Sequence, residues 1–581
     1  MKKNHLIYTL FLVLIAFTTA CDDILEVDNL DVLKDSNHYK TINDANSAVL
    51  GAYALFQDLA PQLVVLNELR ADLMDITYNA DHYLEEVSKH STTSDNPWTD
   101  PRPFYKVINN CNDVMQNLTV MYESSKITRE QYNQRYSDMG ALRTYVYFQL
   151  IIHYGKAPYI TKPIESMDDI SKINTSEAPV LEIEEMLATL LSFMEGLPYT
   201  DLYTDTDINT SFDGFSTQIS FIDKEYLLGE LNLWNGNYLA AASYFKNIME
   251  RSAGDFDKYK IPTDFFTFSD YHSRYVRYYE NDIESAVNNW ATLFSTYGTS
   301  DYYGEWIWVM YYHYAYEPSP FYELFSKEQG NYYLKPSAAA INNWNSQMQD
   351  NGFVGDFRGN IEDFNGNTGS YKLVGNDPVI TKYISDLDEN NPLEKAGKWY
   401  LWRATSLHLR YSEAANRDGK HKVAYALMNK GIASAYAYPG DKNDVVGTFN
   451  WEQTQLPYPY DFDARSTNNL QVPPVHRGLW YRNVGVRDRV SLQSYTVPTD
   501  QDSLLYIEDK ILEENALELA FEGSRWGDLV RMSIRRGDNT LLAEKVAQKF
   551  EKAGDAGTAN QLRALLANRE NWWLPLTDNE E

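Results

Sequence analysis

The 581-residue chain is poor in cysteine, histidine and positive charge. Two cysteines can build neither a disulfide scaffold nor a thiolate zinc site. The 10 histidines are dispersed, and no HExxH, GxSxG or P-loop pattern occurs to carry a familiar catalysis. Lys and Arg number 51 against 82 Asp and Glu, a net charge of −31 that repels phosphate backbones and excludes nucleic acid as a partner class. Beyond the N-terminus there is no apolar run of the ~20 residues needed to span a bilayer. What the chain has in abundance is aromatic rings: 45 Tyr, 24 Phe and 13 Trp. Such rings bury well, so the chain is not disordered overall. Their apolar faces and polar edges also suit binding surfaces.

Residues 1–20 read as a lipoprotein signal peptide. Lys2 and Lys3 form its positive start, residues 6–17 its apolar stretch, and Thr18, Thr19 and Ala20 precede Cys21. A Cys directly after a small-residue cleavage site resembles a bacterial lipobox, although Thr18 stands where Leu is usual. Cys21 is thus the expected lipidation site; the alternative is plain secretory cleavage near Ala20. Residues 21–40 form an acidic tether, with Asp22, Asp23, Glu26 and Asp28 placed as in the surface-export signals of Bacteroidetes-type lipoproteins. That placement implies a lipid-anchored protein on the outer face of the outer membrane. Cys111 lacks a partner and is expected to be a small buried hydrophobe.

From Ile42 the apolar pattern turns helical. Ala45, Ala48, Val49, Ala52 and Phe56 share one face at helical spacing, with Asn43 as the expected N-cap. Further helices are expected over 104–121, 128–154 and 182–194, the second of these stopping at Gly155 with Pro158 beyond. Leu228, Gly229, Gly236, Tyr238, Ala241 and Phe245 fall in tetratricopeptide register: small residues where paired helices touch, Gly in the turn, aromatics filling the groove. Residues 141–154 and 407–430 echo that pattern. The expected fold class is mainly α, a tetratricopeptide-like helical-hairpin scaffold with long irregular insertions and a few short strands. Residues 41–260 are read as an N-terminal helical-repeat part. Residues 261–581 are read as a C-terminal part with aromatic insertions and closing helices, the two forming one intertwined unit. Residues 302–316 carry eight aromatics in fifteen positions, and the alternation of Trp306 and Trp308 predicts a short strand with both rings on one face.

Several segments recur in a telling order: Cys21-Asp22-Asp23, Ala48-Val49-Leu50-Gly51-Ala52-Tyr53, and Glu68-Leu69-Arg70-Ala71-Asp72. Trp98 follows with Tyr105, Ile108 and Asn112, then Ala141-Leu142-Arg143 and Tyr154-Gly155-Lys156-Ala157-Pro158. Glu518-Leu519-Ala520-Phe521-Glu522-Gly523-Ser524-Arg525-Trp526-Gly527-Asp528 is the sharpest, and Trp573-Leu574-Pro575-Leu576 closes the series. Together they resemble the SusD/RagB family of outer-membrane nutrient-binding lipoproteins. Read as chemistry, Arg143, Arg525, Glu522 and Asp528 are expected to be buried salt-bridge partners that fix register rather than catalyse.

The resemblance implies binding without catalysis. Such proteins lie over a SusC-like TonB-dependent transporter and hand it oligosaccharides, or in some cases peptides. Sugars present C–H faces that stack on Tyr and Trp, with polar side chains taking the hydroxyls. The candidate ligand residues are Tyr78, His82 and Tyr83 after the Asp72 element, and Trp290, Tyr302, Tyr303, Trp306 and Trp308 in the aromatic insertion; each could instead be core. No catalytic residue, metal ligand or cofactor is expected. Asp205-Thr206-Asp207-Ile208-Asn209 alternates oxygen ligands as a calcium loop does, but Thr210 and Ser216 replace the Gly and Glu an EF-hand needs. A secreted glycosidase or a structural adhesin are the rival classes.

Overall fold

The computed structural model describes residues 39–164, 178–203, 208–212, 215–251, 290–291, 293–294, 305–361, 369–385, 391, 393–436, 456–464, 479–480 and 483–576. The signal peptide, Cys21, the tether to residue 38, Asp205, Thr206, Asp207, Tyr302 and Tyr303 lie outside these residues.

Helix α1 (Ile42–Gln57) starts at a capping box in which the Thr41 side chain accepts from Asp44 N–H, so Thr41 rather than Asn43 is the cap. Its Ala45, Val49, Ala52 and Phe56 are buried, as the spacing predicts, whereas Ala48 is only half-buried and Tyr53 joins the buried set. Helix α2 (Ala60–Val64) runs into a π-helical turn (Val65–Leu69), and strand β1 (Met74–Ile76) and helix α3 (His82–Ser88) follow. Helices α4 (Arg102–Glu123) and α5 (Arg129–Tyr154) pack as a hairpin, with α6 (Ile183–Glu195) laid on α5. Thr128 and Gln131 box the start of α5. It ends at Gly155, whose φ of +72° is the left-handed cap only Gly adopts cheaply.

Helices α7 (Lys224–Trp234) and α8 (Tyr238–Glu250) form the tetratricopeptide-like hairpin. Gly229 leaves no room for a Cβ beneath the Phe245 ring, and Gly236 turns the chain at φ +78°. The second half adds β2 (Trp306–Tyr312), α9 (Phe321–Phe325), β3 (Leu334–Pro336), α10 (Ala338–Asn345) and the hairpin β4 (Tyr371–Val374) with β5 (Asp377–Ile380). Strand β6 (Gly397–Arg403) pairs antiparallel with β2 and leads into the hairpin α11 (Ala404–Arg417) and α12 (His421–Met428). Helices α13 (Ser503–Glu518), α14 (Arg525–Arg536), α15 (Asn539–Lys552) and α16 (Ala556–Leu566) close the fold. The described residues are thus mainly helical hairpins with short two-stranded ladders, the expected class. Among them, no single helix is long and apolar enough to cross a membrane.

Buried charge ties the closing helices to the rest of the fold. Glu518 takes Arg358, Arg403 and Arg489, each at 2.7–2.8 Å, while Arg403 and Lys382 also hold Glu522. Asp528 pairs with Arg410 and Arg531, and Arg525 with Asp72. The expectation for Arg525, Glu522 and Asp528 therefore holds. Arg143 departs from it: its Nη1 donates to the Asn112 side-chain oxygen at 2.6 Å and its guanidinium lies 4.5 Å from the Phe193 ring centre, with no carboxylate partner among the described residues. Its neighbour in space, Cys111, is fully buried, and desolvation pushes its thiol up to about 12.

Candidate functional site

Strand β1 pairs antiparallel with β3, Met74 opposite Pro336 and Ile76 opposite Leu334. This ladder lays the loop after β1 beside the segment that leads into β3. The loop is fastened there: Thr77 N–H donates to the Tyr333 carbonyl at 2.9 Å and the Asn79 amide to the Asn331 carbonyl at 3.0 Å. Tyr78 is thereby held out into solvent, 72% exposed. Its ring stands edge-on to the buried Tyr332 at 6.2 Å, and its hydroxyl donates to Asp377 at 3.3 Å. Asp377 in turn pairs with Lys327 at 2.6 Å, and that contact holds the carboxyl below its usual range. Asp81 caps α3, so His82 and Tyr83 sit on its first turn with their rings 3.9 Å apart. The Tyr83 hydroxyl donates to Asp95 at 3.2 Å, which keeps the phenol protonated above its ordinary range.

A polar strip leads away from this loop. The Asn331 amide donates to Glu323 at 3.0 Å, Lys395 pairs with the same carboxylate at 2.8 Å, and Ser319 N–H donates to the Lys395 carbonyl at 2.8 Å. Two residues before Ser319 is the end of a tight turn in which His313 N–H donates to the Glu317 carbonyl at 2.9 Å. The turn presents Tyr314 and Tyr316, 47% and 76% exposed, around the His313 ring at 4.4 and 5.3 Å. The surface therefore has exposed aromatic rings at both ends and amide, carboxylate and ammonium groups between them. Such a surface can stack flat apolar faces and hydrogen-bond a hydroxyl-rich rim.

Comparison with known proteins fits this architecture. Residues 483–580 match the model of the SusD family. A solved SusD superfamily protein from Bacteroides vulgatus superposes with a TM-score of 0.56 at 14% identity, covering 90% of this chain and 92% of its own. The chain's fold is SusD-like. The surface glycan-binding protein A of Bacteroides uniformis shares the fold at a TM-score of 0.52 and 15% identity, over 87% of this chain and 89% of that one. The SusD-like protein P25 of Formosa agariphila is 22% identical over 179 residues, 28% of this chain. The chain spans about a third, 32%, of that curated relative's length.

Within this SusD-like fold the nominated aromatics divide. Tyr78 and His82 are exposed and Tyr83 is half-buried, all on one loop-and-helix segment. Trp290, Trp306 and Trp308 are buried, which corrects their reading as stacking platforms. Trp308 stacks on Phe56 at 5.3 Å and donates its Nε1–H to the Ser220 carbonyl. Trp306 donates to the Leu293 carbonyl and packs with Trp290, Phe294 and Tyr400 in a second, smaller core cluster. The two rings point to opposite faces because β2 bulges: Trp306 pairs with Arg403 but Trp308 with Trp402, so one residue of β2 is extra. Trp290 lies with Lys382 5.3 Å from its ring centre.

Tyr314, Tyr316, Tyr332, Lys327 and Asp377 are not among the ligand residues expected from sequence. The Glu317-Pro318-Ser319-Pro320 run after Tyr316 signals a turn and hence exposure. Tyr332, Lys327 and Asp377 carry no local signal, since they reach Tyr78 only through tertiary contacts between separate segments. Among the described residues no cluster of His, Cys, Asp and Glu is arranged to hold a metal.

Proposed function

We propose that this SusD-like chain is a cell-surface glycan-binding lipoprotein. It captures oligosaccharides on the surface between Tyr78 and Tyr316 and passes them to a SusC-like TonB-dependent transporter. The observation that carries the reading is Tyr78 itself: an exposed ring whose neighbours are fastened on both sides, by the Thr77 N–H and the Asn79 side-chain amide, and which is rimmed by Asp377, Lys327 and Asn79. A rigid aromatic with few rotamers loses little entropy on binding, and its rim supplies donors and acceptors for hydroxyls. The lipobox-like Thr19-Ala20-Cys21 and the acids behind it support anchoring through Cys21 at the outer face of the outer membrane. The name of the Bacteroides uniformis protein with the same fold, a surface glycan-binding protein, points the same way.

The test is affinity electrophoresis of the full chain in detergent through gels containing single polysaccharides. At least one polysaccharide should retard the wild type, and Tyr78→Ala should migrate as in a blank gel. If no polysaccharide retards the wild type while a peptide library binds, the ligand is peptide. If neither binds, the capture role fails.

A further inference from the structure

A second site lies on other elements of the fold. A groove of about 450 Å³ runs between α4, α5, α6 and the strap around Tyr159 and Lys162. That is the range of ligand pockets. Its walls are built firmly: the Asn112 amide donates to the Ile160 and Lys162 carbonyls, and the Tyr147 hydroxyl donates to the Ile160 carbonyl at 2.9 Å.

Arg143 lines this groove while only 4% exposed. A guanidinium carries five N–H donors and a charge that is costly to bury without a partner. Arg358, Arg403, Arg410, Arg487, Arg489, Arg525 and Arg531 are all buried and all meet a carboxylate. Arg70 meets none, but it is sealed over the Trp526 ring and spends its two terminal nitrogens on His153 and the Trp572 carbonyl. Arg410, Arg525 and Arg531 also line cavities but meet carboxylates there, whereas Arg143 lines its groove with one N–H given to Asn112 and its guanidinium over the Phe193 ring. Tyr136, Tyr159 and Lys162 also line the groove.

We propose that this groove binds a small carboxylate carried on an apolar body. The carboxylate pairs with Arg143, and the body lies against Tyr136 and Tyr159. The site shares no residue with the Tyr78 surface and stands or falls independently of the glycan reading.

Isothermal titration of the full chain in detergent tests it, with phenylacetate as the probe and phenylacetamide as its uncharged isostere. Phenylacetate should bind once per chain and the amide at least about tenfold more weakly, as loss of a charge-assisted bidentate pair implies. Arg143→Gln should abolish that preference. Val120→Trp, at an exposed position on the groove wall, should block both ligands while leaving the fold intact by circular dichroism. Tyr78→Ala should bind phenylacetate as the wild type does. The proposal is overturned if phenylacetate does not saturate the wild type, if the amide binds equally well, or if the folded Val120→Trp chain binds unchanged.

Discussion

Asp72 and Arg525, 453 positions apart in sequence, meet in a two-toothed ion pair of 2.6 and 2.8 Å in the interior. Asp72 lies just before β1 and Arg525 opens α14, so this pair ties the loop that carries Tyr78 to the closing helices. Removing one member leaves the other charge buried alone. Asp72→Leu and Arg525→Met singly should each cost about 3–5 kcal/mol in urea denaturation, and the double variant clearly less than their sum.

Glu68 sits beside that pair and accepts backbone N–H groups from Phe521, Gly523, Ser524 and Arg525 at 2.8–3.4 Å. Burial outweighs those four donors and raises its carboxyl to about 7 from 4.5. A raised acid pKa means that the folded chain holds the proton more tightly than the unfolded one. This contribution is full below pH 4.5 and is lost as the pH rises through 7. Glu68→Gln cannot ionise, so its stability relative to wild type should climb by about 1.4 kcal/mol per pH unit between those values and level off above them. Urea midpoints at pH 5, 6, 7 and 8 give the slope; a flat difference sinks the assignment.

Core and surface aromatics should respond in opposite ways. Trp308→Ala removes a fully buried ring stacked on Phe56 and should cost about 3–5 kcal/mol of stability. Tyr78→Ala and Tyr316→Ala should stay within about 0.5 kcal/mol of wild type, because their rings are mostly in solvent. Polysaccharide retardation should be lost in the two Tyr variants.

Gly155→Ala meets two obstacles at once. The left-handed backbone costs a Cβ-bearing residue about 1–2 kcal/mol, and the new Cβ would lie 2.5 Å from the Trp573 ring. Adding Trp573→Ala should relieve the second penalty and leave the first. A double-mutant cycle by chemical denaturation separates them.

The parts of this protein that could be read from sequence are those set by local chemistry. The ends of α4, α5 and α6 fall within about two residues of their expected places; for α5 the reason is local, since the Thr128–Gln131 box and Gly155 act on neighbours. The start of α1 shifted only from Asn43 to Thr41, since both residues can cap and Asp44 completes the box with Thr41 alone. The Gly229–Phe245 packing was legible because a missing Cβ and a large ring occur at the repeat's spacing. The fate of Trp306 and Trp308 was not, because a bulge depends on how β6 pairs with β2. Arg143 reads from sequence like the other motif charges, and only the fold shows an amide and a ring where a carboxylate was expected. The Tyr78 surface was half legible for the same reason: Tyr78, His82 and Tyr83 are neighbours in sequence, while Asp377 and Lys327 come from two other segments.

The clasp between Arg70 and the Trp572 carbonyl bears on how the chain is made. Ribosomes add about 5–20 residues per second, so roughly half a minute to two minutes pass between the synthesis of these two residues. Throughout that interval Arg70 lacks the Trp526 ring beneath it, Glu68 lacks its four N–H donors and Asp72 lacks Arg525. The first half of the polypeptide therefore cannot finish its interior early. A chain held back in this way stays threadable until its last helices emerge, as export of the proposed lipoprotein would require.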